Sequence, residues 1–310
     1  MKIPPVSIDP LQSQQPNSPS AKKSDDTFDA VFSQMVSNNA PTNPLFTPPI
    51  SSAPLSLLNP GFNINQSSAI NQVGSIKGLS PLGRNMALPD PESAYEMMTL
   101  INNCDALFKA QFYELSQMKS SVSHMQDAAQ NLGSIALSTG DDSIKSQLQN
   151  FVGEYNSWIQ RFNPDLKGGG LLAGTQAAQV SQFELEQNIN SRFFGAKDGV
   201  NGLNDLGISI DPNTRLAVLD TSRLTSLLAS NKQGVVGTVQ EFSANFAKSA
   251  SLLNSGGNFI ARQIDNLSRV IHYVADNKTS LQAEFGTGDV AKPSGQVAQA
   301  LAAYNQTIKT

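Results

Sequence analysis

Apolar residues recur along the middle of this chain at steps of three and four. From Met98 the set runs through Ile101, Cys104, Phe108, Phe112, Leu115, Met118, Val122, Met125, Ala129, Leu132 and Ala136. The mean step is about 3.5 residues, the repeat of a left-handed coiled-coil seam. It predicts one long helix over 91–140, with Ser93 at the N-cap and Glu96 three residues later completing a capping box. "STGDD" breaks the pattern, and Asp141 and Asp142 read as caps of a second helix striped by Ile144, Leu148, Phe151, Tyr155, Ile159 and Phe162. That helix is expected to stop at "NPDLKGGG", and a weaker one occupies 175–194. A second seam spans 258–286 through Ile260, Ile264, Leu267, Ile271, Val274, Lys278, Leu281 and Phe285, with the lysine as an imperfection in it. The stretch 287–310 reads as a linker and a short amphipathic helix carrying Val297, Leu301, Tyr304 and Ile308. A helix of that length is marginal in water, so it must dock on its own chain or a neighbour.

One segment has the other period. Ile208 and Ile210 flank Ser209, "DPNT" carries turn chemistry, and Leu216, Val218 and Asp220 alternate beyond it. This predicts a β-hairpin over 206–220, with Thr221 or Ser222 opening the next helix, inside a helical domain spanning 141–257. The fold class is mainly α with a small β-hairpin (α+β). Coiled-coil-like helices, 91–140 and 258–286, form a stem beside a helix-and-strand domain.

Composition limits the chemistry. Residues 1–90 are rich in Pro, Ser, Asn and Gln and have no sustained period, so they read as a disordered arm. Within it "DDTFDAVFSQMVSN" places Phe28, Val31, Phe32, Met35 and Val36 on one side of a short helix, either a transient structure or a docking motif for an export chaperone. A net charge of -4 and 15% charged residues give no basic footprint for nucleic acid. The N-terminal residues lack the apolar core of a cleavable secretory signal, and no stretch is long and apolar enough for a membrane span. One cysteine and two histidines, His124 and His272, do not make a disulfide or a metal site by themselves. "KGGGLLAG" lacks the Gly-Lys-Ser/Thr ending of a phosphate loop, and Trp158 reads as packing. With no nucleophile and base, carboxylate pair or phosphate cradle in sight, the reading is a non-enzymatic assembly protein without cofactor or metal.

The order of blocks carries a resemblance. "FVGEYNSW", then "LLAG" opening a helix, then "LGISIDPNTRLAVLDTSRLTSLLASN", then "NFIARQIDNLSRVIHYV" resembles the bacterial flagellar filament-capping proteins, the flagellar hook-associated protein 2 family, over roughly residues 95–285. The resemblance implies a homo-oligomer at the filament tip. Its stem would be built from Phe108, Phe112, Leu115, Met118, Val122 and Met125 with Ile260, Ile264, Leu267, Ile271 and Val274. Its hairpin domain would pack through Ile208, Ile210, Leu216, Val218 and Leu219. Flagellin, other hook-associated proteins and an export chaperone would be partners, outside the cell. The sequence departs from that family in its long N-terminal arm. The large insertion usual after the first seam helix is replaced by "ALSTGDDS", and the distal helix breaks at "GTGDVAKPSG". The competing reading is a type III export substrate or a helical partner-binding regulator located off the filament.

Overall fold

A computed structural model describes residues 76–192 and 199–308. The amphipathic stripe at 28–36 lies outside the described residues. In chain order the elements are α1 (Pro91–Leu132), α2 (Asp141–Leu166), α3 (Gln176–Asn190), β1 (Ile208–Ile210), β2 (Ala217–Leu219), α4 (Thr221–Asn254), α5 (Phe259–Asp276), α6 (Lys278–Phe285) and α7 (Gly295–Thr307). The fold is mainly α with one two-stranded antiparallel hairpin, as the sequence predicts.

α1 is the axis of the molecule and packs against α2, α4, α5, α6 and α7. Its start differs from expectation by one turn. Asp90, not Ser93, is the N-cap: its carboxylate accepts from Ser93 N at 3.1 Å and from Ser93 Oγ at 2.7 Å. Pro91 then occupies the first helical position, where an N–H has no helical partner to lose. The helix ends at Leu132, short of the expected 140. Gly133, still in helical geometry, is the C-cap, and a Cβ there would come within 2.7 Å of Ser243 Oγ on α4. Ile135 is still buried beyond the turn, while Ala136 is exposed.

α2 lays its predicted stripe into the core, and Phe151 meets Phe242 and Phe246 of α4 edge-on, each at 5.0 Å. Such pairs add about 0.5–1.5 kcal/mol beyond their buried area. Asp141 and Asp142 are the first residues of α2 rather than its cap, which is Gly140. There they complement the helix dipole, and Asp141 pairs with Lys232 Nζ at 2.9 Å. α4 is bent where Asn231 leaves the helical region (φ -150, ψ 58), and its side-chain Oδ1 accepts from Gly234 N at 3.0 Å to restart the helix. The predicted seam over 258–286 is likewise two helices. Lys278 is exposed as the first residue of α6, and the stripe resumes at Leu281.

Residues 76–90, expected to belong to the arm, are folded. They form a turn closed by an isolated bridge between Leu79 and Asn85, and they are stitched to the end of α6 and the segment after it. Asn85 Nδ2 donates to Ala283 O at 2.6 Å, and Thr287 N donates to Gly83 O at 2.8 Å. Asn102 Nδ2 donates to Asp289 O at 2.8 Å and Tyr95 OH to Asp289 Oδ1 at 2.8 Å, while Asp289 N donates to Thr99 Oγ1 at 2.8 Å. "GTGD" is therefore a clasp and not a loose linker. It needs glycine twice: Gly286 (φ +83) would place a Cβ 2.5 Å from Gly83 O, and Gly288 (φ +60) one 2.5 Å from Thr99 N. Arg84 closes the clasp by pairing with Glu92 and stacking 4.4 Å from the Tyr95 ring.

Leu267 is fully buried on α5, so Leu267→Asp should unfold the chain and not merely separate copies. A loss of about 3–5 kcal/mol is expected from the cavity and the buried charge. Cys104 reports it: the thiol is 1% exposed, and burial, with the neighbouring Asp105 charge, pushes its pKa up to about 12. In the unaltered chain a thiol reagent should label it only on unfolding, and in Leu267→Asp at once. A native-like melt with a silent thiol would reject this placement.

Candidate assembly site

The residues assigned to an intermolecular stem lie inside one chain. Phe108, Leu115, Met118, Val122 and Met125 on α1 and Ile260, Leu267, Ile271 and Val274 on α5 are buried in a single core cluster, with Phe112 and Ile264 half-buried against it. Phe112 meets Tyr304 of α7 edge-on at 5.9 Å. In this structure the seam is filled by α4, α5 and α7 of the same molecule, so the residues expected at a self-assembly surface line the inside of one chain. A stripe of period 3.5 reports that a helix packs lengthwise on other helices, and has the same form whether those belong to its own chain or another.

The hairpin is the second feature that the sequence picks out, and "GEYNSW" is what holds it. Asn156 on α2 uses its amide as a strand would: Nδ2 donates to Ala217 O at 2.9 Å, and Oδ1 accepts from Ala217 N at 2.7 Å. The neighbouring Tyr155 OH donates to Arg215 O at 3.1 Å. Burial of this phenol raises its pKa, with the Glu186 charge adding and Arg215 opposing, so it remains a donor at neutral pH. The turn is organised by Asp211, whose Oδ1 accepts from Asn213 N at 2.9 Å, Thr214 N at 2.8 Å and Thr214 Oγ1 at 3.1 Å. These bonds hold its carboxyl below the usual aspartate range. Arg215 takes a left-handed φ of 61 to bring the chain back, and its guanidinium reaches Glu186 of α3 at 3.0 Å.

The strands pair Ile208 with Leu219, Ser209 with Val218 and Ile210 with Ala217. Ile208, Ile210, Ala217 and Leu219 thus share the inner face, and Leu216 packs at the turn. Val218, expected among the packing residues, is instead 56% exposed on the outer face beside Ser209. Because side chains alternate strictly, counting the second strand from Leu216 inverts its faces. Asp220 then caps α4 by accepting from Ser222 N and Arg223 N, each at 3.0 Å.

A buried polar cluster joins α1 to α2 beside this platform. Arg161 pairs with Glu114 at 2.5 Å and Asp165 at 3.4 Å, and Gln111 Nε2 donates to Leu171 O at 3.1 Å. Both carboxylates are nearly inaccessible, and they share one half-exposed guanidinium. Burial and the Glu114 charge push the Asp165 pKa up to about 6, against the opposing pull of Arg161. This cluster and the Asn156 clamp escape a reading of the sequence, because polar residues beside an apolar stripe look solvated whether or not another helix covers them.

Among the described residues no cluster of His, Cys, Asp or Glu could hold a metal ion, and no helix is long and apolar enough to cross a membrane. His124 and His272 are both exposed, on α1 and α5, and Trp158 is buried against Phe162. The pocket at the α1–α2 connection is an open hollow of about 550 Å³ lined by Leu137, Gln233, Val236 and Gln240 among others. It is not an enclosed active site. What the platform offers is surface: Val218 on β2 and Phe183 on α3 are both more than half exposed.

The family model for the flagellar hook-associated protein 2 C-terminus matches residues 116–289. That segment runs from the middle of α1 through the clamped hairpin to the clasp, more than half of the chain. The protein belongs to this family. A crystal structure of the D1, D2 and D3 domains of the flagellar cap protein FliD from Escherichia coli aligns with 21% identity and a TM-score of 0.38, covering 41% of this chain and 37% of that one. No curated protein gave a significant match. The hook-associated protein 2 assignment places "FVGEYNSW" and the hairpin block, the most specific stretches of the resemblance, within the matched region.

Asn156→Ala leaves the Ala217 N–H and C=O unpaired in a buried place, at a cost of about 1–3 kcal/mol. Hydrogen exchange should quicken in 208–219 and stay slow in α1, whereas Val218→Asp on the outer face should leave the melt within about 0.5 kcal/mol. Uniform exchange in Asn156→Ala would mean that the amide does not carry the hairpin.

The folded chain holds the Asp165 proton more tightly than the unfolded one, in which an aspartate titrates near about 3.9. Stability should therefore rise as pH falls from above 6 towards 4. Thermal melts from pH 7.5 to 5 should move upward, and Asp165→Asn should flatten that slope. A melt that falls across this interval in the unaltered chain would contradict it.

Proposed function

We propose that this protein is a cap-type structural component of the bacterial flagellum, exported and assembled outside the cell as a homo-oligomer that promotes flagellin polymerisation at the filament tip. The observation that carries the reading is the family match over 116–289, which contains both the core helices and the clamped hairpin. In this mechanism no bond is made or broken. α1 and the helices around it form a stiff body, Asn156 and Tyr155 fix the hairpin on it, and the outward side chains Val218 and Phe183 meet flagellin or another hook-associated protein. Rigid placement limits what such a contact loses in ordering its groups.

The reading is tested by deleting the gene, imaging the cell surface by electron microscopy and measuring flagellin monomer in the medium. Bare hooks with shed monomer are expected. Complementation with Val218→Asp plus Phe183→Asp, which spares the fold, should fail to restore filaments. Normal filaments in the deletion would overturn the reading and favour a type III export substrate or helical regulator acting away from the filament.

A further inference from the structure

Among the described residues the two most exposed large apolar side chains are Val290 (80%) and Leu82 (73%), and the clasp brings both to one pole of the body. Leu82 precedes Gly83, whose carbonyl accepts from Thr287 N at 2.8 Å, and Val290 follows Asp289, whose N–H reaches Thr99 Oγ1 at 2.8 Å. Met86, 63% exposed, follows Asn85, whose amide holds Ala283 O, and Leu100, also exposed, follows Thr99 on α1. Single exposed apolar residues are ordinary on a protein surface, but four gathered around one set of hydrogen bonds mark a contact face. The pole also carries free cations. Lys77 and Lys292 are exposed and form no ion pair among the described residues. Asp90, Glu92 and Asp289 are engaged by Ser93, Arg84 and Tyr95, whereas Glu96 is not engaged.

We propose that this pole is the docking site of residues 28–36 of the same chain, the stripe of Phe28, Val31, Phe32, Met35 and Val36. Three observations name that occupant. The chain enters the body at Ile76, in the turn that carries Leu82 and Met86, so the residues before it are tethered to this pole and meet it at a higher local concentration than any other face. Residues 20–40 are the longest proline-free run before Ile76, and they set five apolar side chains at helical spacing. The charges are complementary as well: Asp25, Asp26 and Asp29 at the start of the stripe suit Lys77 and Lys292, and Lys22 and Lys23 ahead of them suit Glu96. A helix that short does not hold alone in water, so the stripe and the pole each lack what the other supplies. Docked, the segment covers Leu82, Met86 and Val290 and is withheld from other partners. The docking stands on the pole and the tether and not on the flagellar reading.

Two readouts on the full chain test it. Hydrogen exchange over residues 28–36 should be about tenfold slower in the unaltered chain than in Leu82→Asp plus Val290→Asp, whose surface positions should leave the melting temperature unchanged. Conversely, peroxide oxidation of Met86 to its sulfoxide, read by peptide mass spectrometry, should run about tenfold faster in Phe28→Ser plus Phe32→Ser than in the unaltered chain. Both effects should be independent of chain concentration. Equal exchange in the unaltered chain and the pole variant overturns the docking, and so does equal oxidation in the unaltered chain and the serine variant. Protection that grows with chain concentration overturns it too, and gives the pole to a second copy. Should the pole variant lose its cooperative melt, the Met86 readout, made on an unaltered body, decides alone. Failure here leaves the deletion phenotype untouched, and normal filaments in a deletion strain leave the docking untouched.

Discussion

The apolar stripe of α1 can be buried only once, and helices of its own chain bury it. With α4, α5, α6 and α7 ranged along it and α2 on a further side, this helix gives the molecule one continuous core from Met98 to Leu132. Burying each large side chain contributes about 1.5–3 kcal/mol, so releasing the stripe to bind another copy would cost more than such a contact returns. What remains for contacts with other molecules is exposed surface, to which the hairpin platform contributes Val218 and Phe183.

The platform shows how a three-residue strand pair is kept in place. Two strands alone are marginal in water. Here Asn156 supplies the missing neighbour on the β2 side with one side-chain amide, and Asp211 and Arg215 fix the turn. The hairpin is thereby locked in register and orientation to α2, without a longer sheet. The direction in which Val218 points is thereby fixed relative to the helical body. The buried Glu114–Arg161–Asp165 cluster serves the same α1–α2 contact less economically, since one guanidinium stands between two carboxylates.

Much of this is legible in the residues, and the exceptions share a cause. The stripes of α1 and α2, the hairpin and the helix start at Thr221 arise from periods and cap chemistry that act within a few residues. The partner of the α1 stripe is not legible, because Leu115 or Val122 looks the same facing α5 or a second copy. Val218 falls on the wrong face in a count along the sequence because the left-handed turn at Arg215 sets the strand parity. Glycine, threonine and aspartate at 286–289 suit a loose linker and a pinned turn equally. Only the distant Gly83, Thr99 and Asn102 decide between them. Asn156 and Asp165 are hidden for a like reason: their partners lie far along the chain or on another helix.

The clasp has a mechanical consequence. It ties residues 83–85, before α1, to residues 283–289, almost two hundred positions later, through bonds such as Thr287 to Gly83 and Asn85 to Ala283. Tension applied between those two segments is borne by these few hydrogen bonds and does not run through α2, α4 or the hairpin, so the clasp would open before the load reached the rest of the body.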